Sequence, residues 1–183
     1  MWPWTHVAFG YLLYTGLTRG RSGAPPGDVA TLWLFLGTQL PDLIDKPLAW
    51  TFDLVPSGRM LVHTLFVAVP ACWLVHRYWR RRENPEYGVA FGVGYLSHVF
   101  GDAIGSLLLG EYAFVRFLVW PLLSVPVDEQ RGILSELATA DPTLSPAFAV
   151  QAAMGLGIVA LWAYDGAPGM AVVRRHLGRG RNR

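Results

Sequence analysis

The chain has 183 residues, 52% of them hydrophobic and only 15% charged, with eight tryptophans, a mean hydropathy of +0.32 and a net charge of +2. Ordinary soluble domains carry roughly 25% charged residues, so this composition reads as one integral membrane domain spanning 1–183. A lone cysteine, Cys72, excludes an intrachain disulfide framework and a cysteine-based zinc site.

Five apolar segments are candidate membrane-crossing helices, at about 4–18, 29–44, 60–79, 88–109 and 147–164, against a usual span of about 17–25 residues. The N-terminal Met1-Trp2-Pro3-Trp4 lacks a basic leader region, which argues against a cleaved signal peptide. Gly20 to Asp28 and Glu83-Asn84-Pro85-Glu86 are polar turns between spans. Segment 112–127 is also apolar but holds Arg116, Pro121 and Pro126, so it reads as a re-entrant or interfacial piece rather than a sixth span. Asp141-Pro142 and Ser145-Pro146 read as helix starts with proline at the first helical position. The expected fold is an all-α integral membrane bundle of about five transmembrane helices.

Charge orients this bundle. Arg19, Arg21, Arg77, Arg80, Arg81, Arg82 and the five arginines of 174–183 fall on one side, leaving Lys46, Arg59, Arg116 and Arg131 on the other. The positive-inside rule places the arginine-rich side in the cytoplasm. The expected location is therefore the plasma membrane, multi-pass, with the N-terminus outside and 171–183 as a basic cytoplasmic tail. That tail fits an anionic-lipid anchor and topology signal better than a nucleic-acid reader.

The informative polar residues lie inside apolar sequence. They are His6, Asp42, Asp45, His63, His98 and Asp102, and on this topology all six fall in the outer half of the membrane. Ionisable groups there are costly and tend to face an interior with a function. His98 and Asp102 share a helix face at i, i+4, and Asp42 and Asp45 share one at i, i+3. Singly, each has a structural explanation: an interfacial histidine at His6, a helix start at Pro41-Asp42, a packing histidine at His63, a hydrogen-bonded pair at His98 and Asp102. Together they are ligand chemistry for a divalent ion, zinc first, with manganese or iron as alternatives. Arg59 and Lys46 share that side, and an arginine there can clamp a phosphate or carboxylate.

These residues resemble the membrane-bound metal-dependent hydrolases described as LexA-regulated. The resemblance is carried by Thr5-His6, Leu40-Pro41-Asp42-Leu43-Ile44-Asp45, Arg59 with His63-Thr64, Ser97-His98 with Asp102, and Trp120-Pro121. It covers roughly residues 1–125, and Asp45-Lys46-Pro47-Leu48-Ala49-Trp50 is similar to archaeal members. It implies a helical membrane protein with metal on His6, Asp42, Asp45, His63, His98 and Asp102. One departure is Gly58, where many members carry a histidine before the arginine.

The expectation is a metal-dependent hydrolase acting on a phosphoester of a lipid or lipid-linked substrate through a metal-activated water. Asp45 would serve as general base and Arg59 would steady an anionic group. Two rivals stand beside it. A metal-ion or proton-linked carrier would continue its polar residues into the inner half, where this sequence is apolar apart from arginines. A non-catalytic membrane protein would use the metal to staple helices.

Overall fold

The computed structural model describes residues 3–127 and 146–179. Among them are six α-helices: α1 (Pro3–Ser22), α2 (Asp28–Trp50), α3 (Leu65–Arg81), α4 (Pro85–Leu108), α5 (Pro146–Tyr164) and α6 (Met170–Arg179). A short 3-10 helix, Tyr112–Val119, follows α4. No strand occurs among the described residues, in keeping with the all-α expectation.

Among the described residues no helix is long and apolar enough to cross a membrane. The physical reason lies in what the helices carry. α2 holds Asp28, Asp42, Asp45 and Lys46, and α3 is 17 residues long and ends in arginines.

The core is α4 packed against α2, with α1 and α3 on either side. Small residues allow this packing. A Cβ on Gly94 would lie inside contact distance of the Leu34 carbonyl, and one on Gly37 would strike the Phe91 carbonyl. The two backbones therefore touch, as helix pairs do when small residues line the seam.

Several boundaries differ from expectation: α1 runs on from 18 to Ser22 and α2 from 44 to Trp50. The segment expected to be helical from residue 60 becomes helical only at Leu65, with Thr64 as its N-cap and its hydroxyl accepting from the Phe66 amide. Residues 51–64 form an irregular loop because a carboxylate captures their amides, as described below. The expected basic tail begins as α6. The Gly169 amide before it donates to Asp28 Oδ1 at 2.6 Å, and Trp162 Nε1 donates to the Pro168 carbonyl at 3.0 Å. Residues 180–183 lie outside the described residues, as does Asp141-Pro142, while α5 does start at Pro146. Segment 112–127 makes no sixth long helix.

The bundle has two unlike ends. At one, Asp165 accepts hydrogen bonds from Tyr11 at 2.7 Å and from Arg19, tying α1 to the end of α5, and α3 finishes in arginines at the same end. At the other lie the start of α1, the end of α2, the 51–64 loop and the end of α4, which between them carry all six candidate ligands.

Candidate metal centre

Asp42, His63, His98 and Asp102 converge, each offering a ligand atom within 4.8 Å of the other three. His98 is fixed first. Its Nδ1 is 2.7 Å from the Thr38 carbonyl oxygen, and a carbonyl only accepts, so Nδ1 carries the proton. This bond crosses from α4 to α2 beside the glycine seam. His63 is fixed the same way: Nδ1 donates to Asp45 Oδ2 at 2.8 Å. Phe117 of the 3-10 helix stands edge-on to its ring at 6.0 Å.

With Nδ1 engaged on each ring, both imidazoles turn Nε2 inward, and the two Nε2 atoms face each other at 3.1 Å, a distance that one metal ion or one shared proton bridges. Asp42 Oδ1 lies 3.6 Å from each, and Asp102 Oδ2 lies 3.7 Å from each. Asp42 Oδ1 is buried with no hydrogen-bond partner among the described residues. Two imidazole nitrogens and two carboxylate oxygens thus surround one point. Two nitrogens bound at about 2.0–2.1 Å to one tetrahedral ion stand about 3.3 Å apart. The residues fit a divalent ion held by two nitrogens and two carboxylate oxygens.

Asp45 is elsewhere. Its oxygens accept from the amides of Met60 at 2.9 Å and Val62 at 3.1 Å, besides His63 Nδ1. It is fully buried behind His63. The expected role as ligand and general base does not match this position, because its acceptor sites are taken by the 60–63 loop. Instead it forms the carboxylate–histidine pair that sets a ligand's tautomer and ring angle. His6 comes in from α1, stacks on His98 at 3.8 Å and lies 3.3 Å from Asp102 Oδ1. It adjoins the four-donor group through Asp102 without being part of it.

Arg59 and Lys46 flank the centre. Arg59 Nη1 donates to Ser106 Oγ at 3.3 Å, with the guanidinium 5.5 Å from the Phe114 ring. Lys46 Nζ donates to Asp42 Oδ2 at 2.6 Å, on the side of the carboxylate away from the histidines. Gly58 is packed closely: a Cβ there would meet the Trp50 indole at 3.2 Å and Lys46 Cγ at 3.3 Å. A histidine at position 58 would therefore have to displace the Trp50 indole.

Sequence reasoning missed three supports. Thr64 donates to the carbonyls of Trp120 at 2.7 Å and Leu118 at 3.2 Å, locking the 3-10 segment beside His63. Tyr95 donates to the Val62 carbonyl at 2.7 Å. Thr38 supplies the carbonyl for His98. Only Thr64 left a signal, as a threonine directly before an apolar helical run.

The YdjM inner membrane protein family matches residues 1–164, which include every residue of this centre. The chain belongs to that family. No curated protein and no solved structure matches it. The match agrees with the resemblance as to a membrane protein family, and it assigns neither a hydrolase activity nor an archaeal type.

Proposed function

We propose that this YdjM-family chain is a membrane-embedded, metal-dependent hydrolase that cleaves a phosphoester of a lipid or lipid-linked substrate. The observation that carries the reading is the pair of inward-facing Nε2 atoms 3.1 Å apart, ringed by Asp42 Oδ1 and Asp102 Oδ2. Two neutral imidazoles with their protons on Nδ1 set lone pairs against each other at that distance; a metal ion or a shared proton relieves this, and the two flanking carboxylates favour the divalent ion. Zinc suits the donor set, with manganese or iron as alternatives.

A divalent ion held there supplies Lewis acidity and lowers the pKa of a water molecule. The chain's own residues do the rest. Asp45 and the Thr38 carbonyl hold His63 and His98 in the ligand tautomer. Arg59 steadies the anionic group of the substrate, and Phe117 and the 3-10 helix close the site from the side of α3. His6, beside Asp102, is placed to accept a proton, the role expected of Asp45. Large apolar side chains are exposed around this end, among them Leu54, Leu108, Leu109, Tyr112 and Leu122. Such a rim suits a lipid environment and a lipid substrate better than water.

Burial of all four donors gives one rival its footing: an ion that staples α2, α4 and the 51–64 loop without chemistry. Both readings are tested on detergent-purified protein by elemental analysis of the wild type and a His63→Ala, His98→Ala double mutant. We expect about one equivalent of metal, absent from the mutant, and metal-dependent release of product from phospholipid or lipid-linked phosphoesters. A well-folded wild type that takes up no zinc, manganese or iron would sink the metal centre. Bound metal without turnover, with unfolding on chelation, would leave the staple.

A further inference from the structure

Two cations stand one helical turn outside the ligand layer. Lys46 follows Asp42 by four residues on α2. Arg59 is held by Ser106, which follows Asp102 by four residues on α4. A turn is about 5.4 Å of rise, so the two form a second layer on the side of the centre toward the end of the bundle. Arg59 is half-buried, and among the described residues its side chain has a hydroxyl and an aromatic ring as partners and no carboxylate. A guanidinium in such a place seeks an anion. Trp50 Nε1 is buried with no hydrogen-bond partner among the described residues, beside Lys46, whose Nζ lies 5.4 Å over the indole. The layer thus holds two cations and an uncommitted N–H.

Charge limits what this layer takes. Asp42, Asp45 and Asp102 bring three negative charges to the centre. One divalent ion, Lys46 and Arg59 bring four positive charges. With the water neutral, the surplus is a single positive charge at a partly buried site, where an unbalanced charge is costly. A phosphodiester carrying one negative charge neutralises it, while a dianionic phosphomonoester overshoots.

We infer that Lys46 and Arg59 form a phosphate-recognition layer that selects a phosphodiester monoanion. This rests on the metal-dependent hydrolase reading and narrows its substrate to diesters. Lys46 contacts one unesterified oxygen from the α2 side and Arg59 the other from the α4 side, with Ser106 positioning Arg59.

The test uses the full chain, zinc-loaded in detergent, titrated with three probes and followed by phosphorus NMR, which reports both binding and turnover. The probes are dihexanoylphosphatidylglycerol, dimethyl phosphate and inorganic phosphate. Binding of the short-chain lipid at least tenfold tighter than dimethyl phosphate supports the layer with a lipid source. Equal binding of these two diesters supports it with a soluble source. Lys46→Met and Arg59→Met should each weaken diester binding at least tenfold while zinc content stays at the wild-type level. Lys46→Arg and Arg59→Lys should recover part of it, and Arg116→Met, an exposed cation at the same end, should change nothing. Inorganic phosphate binding as tightly as the diesters would overturn the selection. Full diester binding by both methionine variants would overturn the layer, as would loss of zinc from Lys46→Met, which would assign Lys46 to holding Asp42. A wild type that holds no zinc would refute the metal reading itself, separately from these outcomes.

Discussion

Asp42 and Asp45 sit three residues apart on one helix and are chemically identical, yet the fold gives them different work. Asp42 keeps a bare oxygen toward the histidines, while Asp45 spends both oxygens on the 60–63 backbone and His63 Nδ1. Asp45→Asn should therefore leave all four donors in place. A carboxamide oxygen still accepts from His63 Nδ1 but is a weaker partner than a carboxylate, and its NH₂ faces amides that also donate. Loss of such a partner typically costs 10–100-fold in metal affinity, and that is the effect expected here, read by competition with a chelator of known affinity. An unchanged affinity would mean that the carboxylate serves the loop alone. Asp42→Asn should cost more, because it removes a charged donor outright. The distinction was not legible in the sequence: spacing put both acids on one face, and only the path of the 51–64 loop decides which one it covers.

Helices were legible where composition alone decides them. α1, α2, α4 and α5 lie close to the apolar segments 4–18, 29–44, 88–109 and 147–164. The i, i+4 pairing of His98 with Asp102 follows from helical periodicity, and both do face the centre. The start of α3 was misread for a physical reason. Met60-Leu61-Val62 is apolar enough to continue a helix, but Asp45 takes the Met60, Val62 and His63 amides and leaves Thr64 as the cap. The closeness of α2 and α4 was only half legible: glycines within a span suggest close packing, but not which helix they meet. Gly94 meets the Leu34 carbonyl, one turn from the Thr38 carbonyl that fixes His98. Gly94→Ala must push the two backbones apart. Overpacking of a tight core costs about 1–3 kcal/mol, and the same displacement stretches the His98–Thr38 bond. We expect a lower melting temperature together with weaker metal binding. A loss of stability with metal affinity intact would show that His98 is held by α4 alone.

For the molecule as a whole, the decisive feature is that its two ends differ in kind. Arg19, Arg21, Arg77, Arg80, Arg81, Arg82, Arg174 and Arg175 lie toward the end where α1, α3 and α5 finish and α6 begins. The six candidate ligands gather at the other. Arginine clusters resist transfer across a bilayer and stay on the cytoplasmic side, so a chain of the YdjM inner membrane protein family should keep this end inside and open its metal centre toward the opposite face. Among the described residues no helix is long and apolar enough to cross a membrane, which makes the orientation worth direct measurement. In a Cys72→Ser background, Thr51→Cys and Arg81→Cys place single exposed thiols at the two ends. A membrane-impermeant maleimide applied to intact cells should label Thr51→Cys at once and Arg81→Cys only after permeabilisation. The reverse pattern would invert the bundle and bring the centre to the cytoplasmic face, where a soluble phosphodiester becomes the better substrate. Equal labelling of both from one side would show that the bundle does not cross the membrane. The exposed apolar side chains of α3 and α5, such as Phe66, Leu74, Leu156 and Val159, would then have to be covered by a protein partner rather than by lipid.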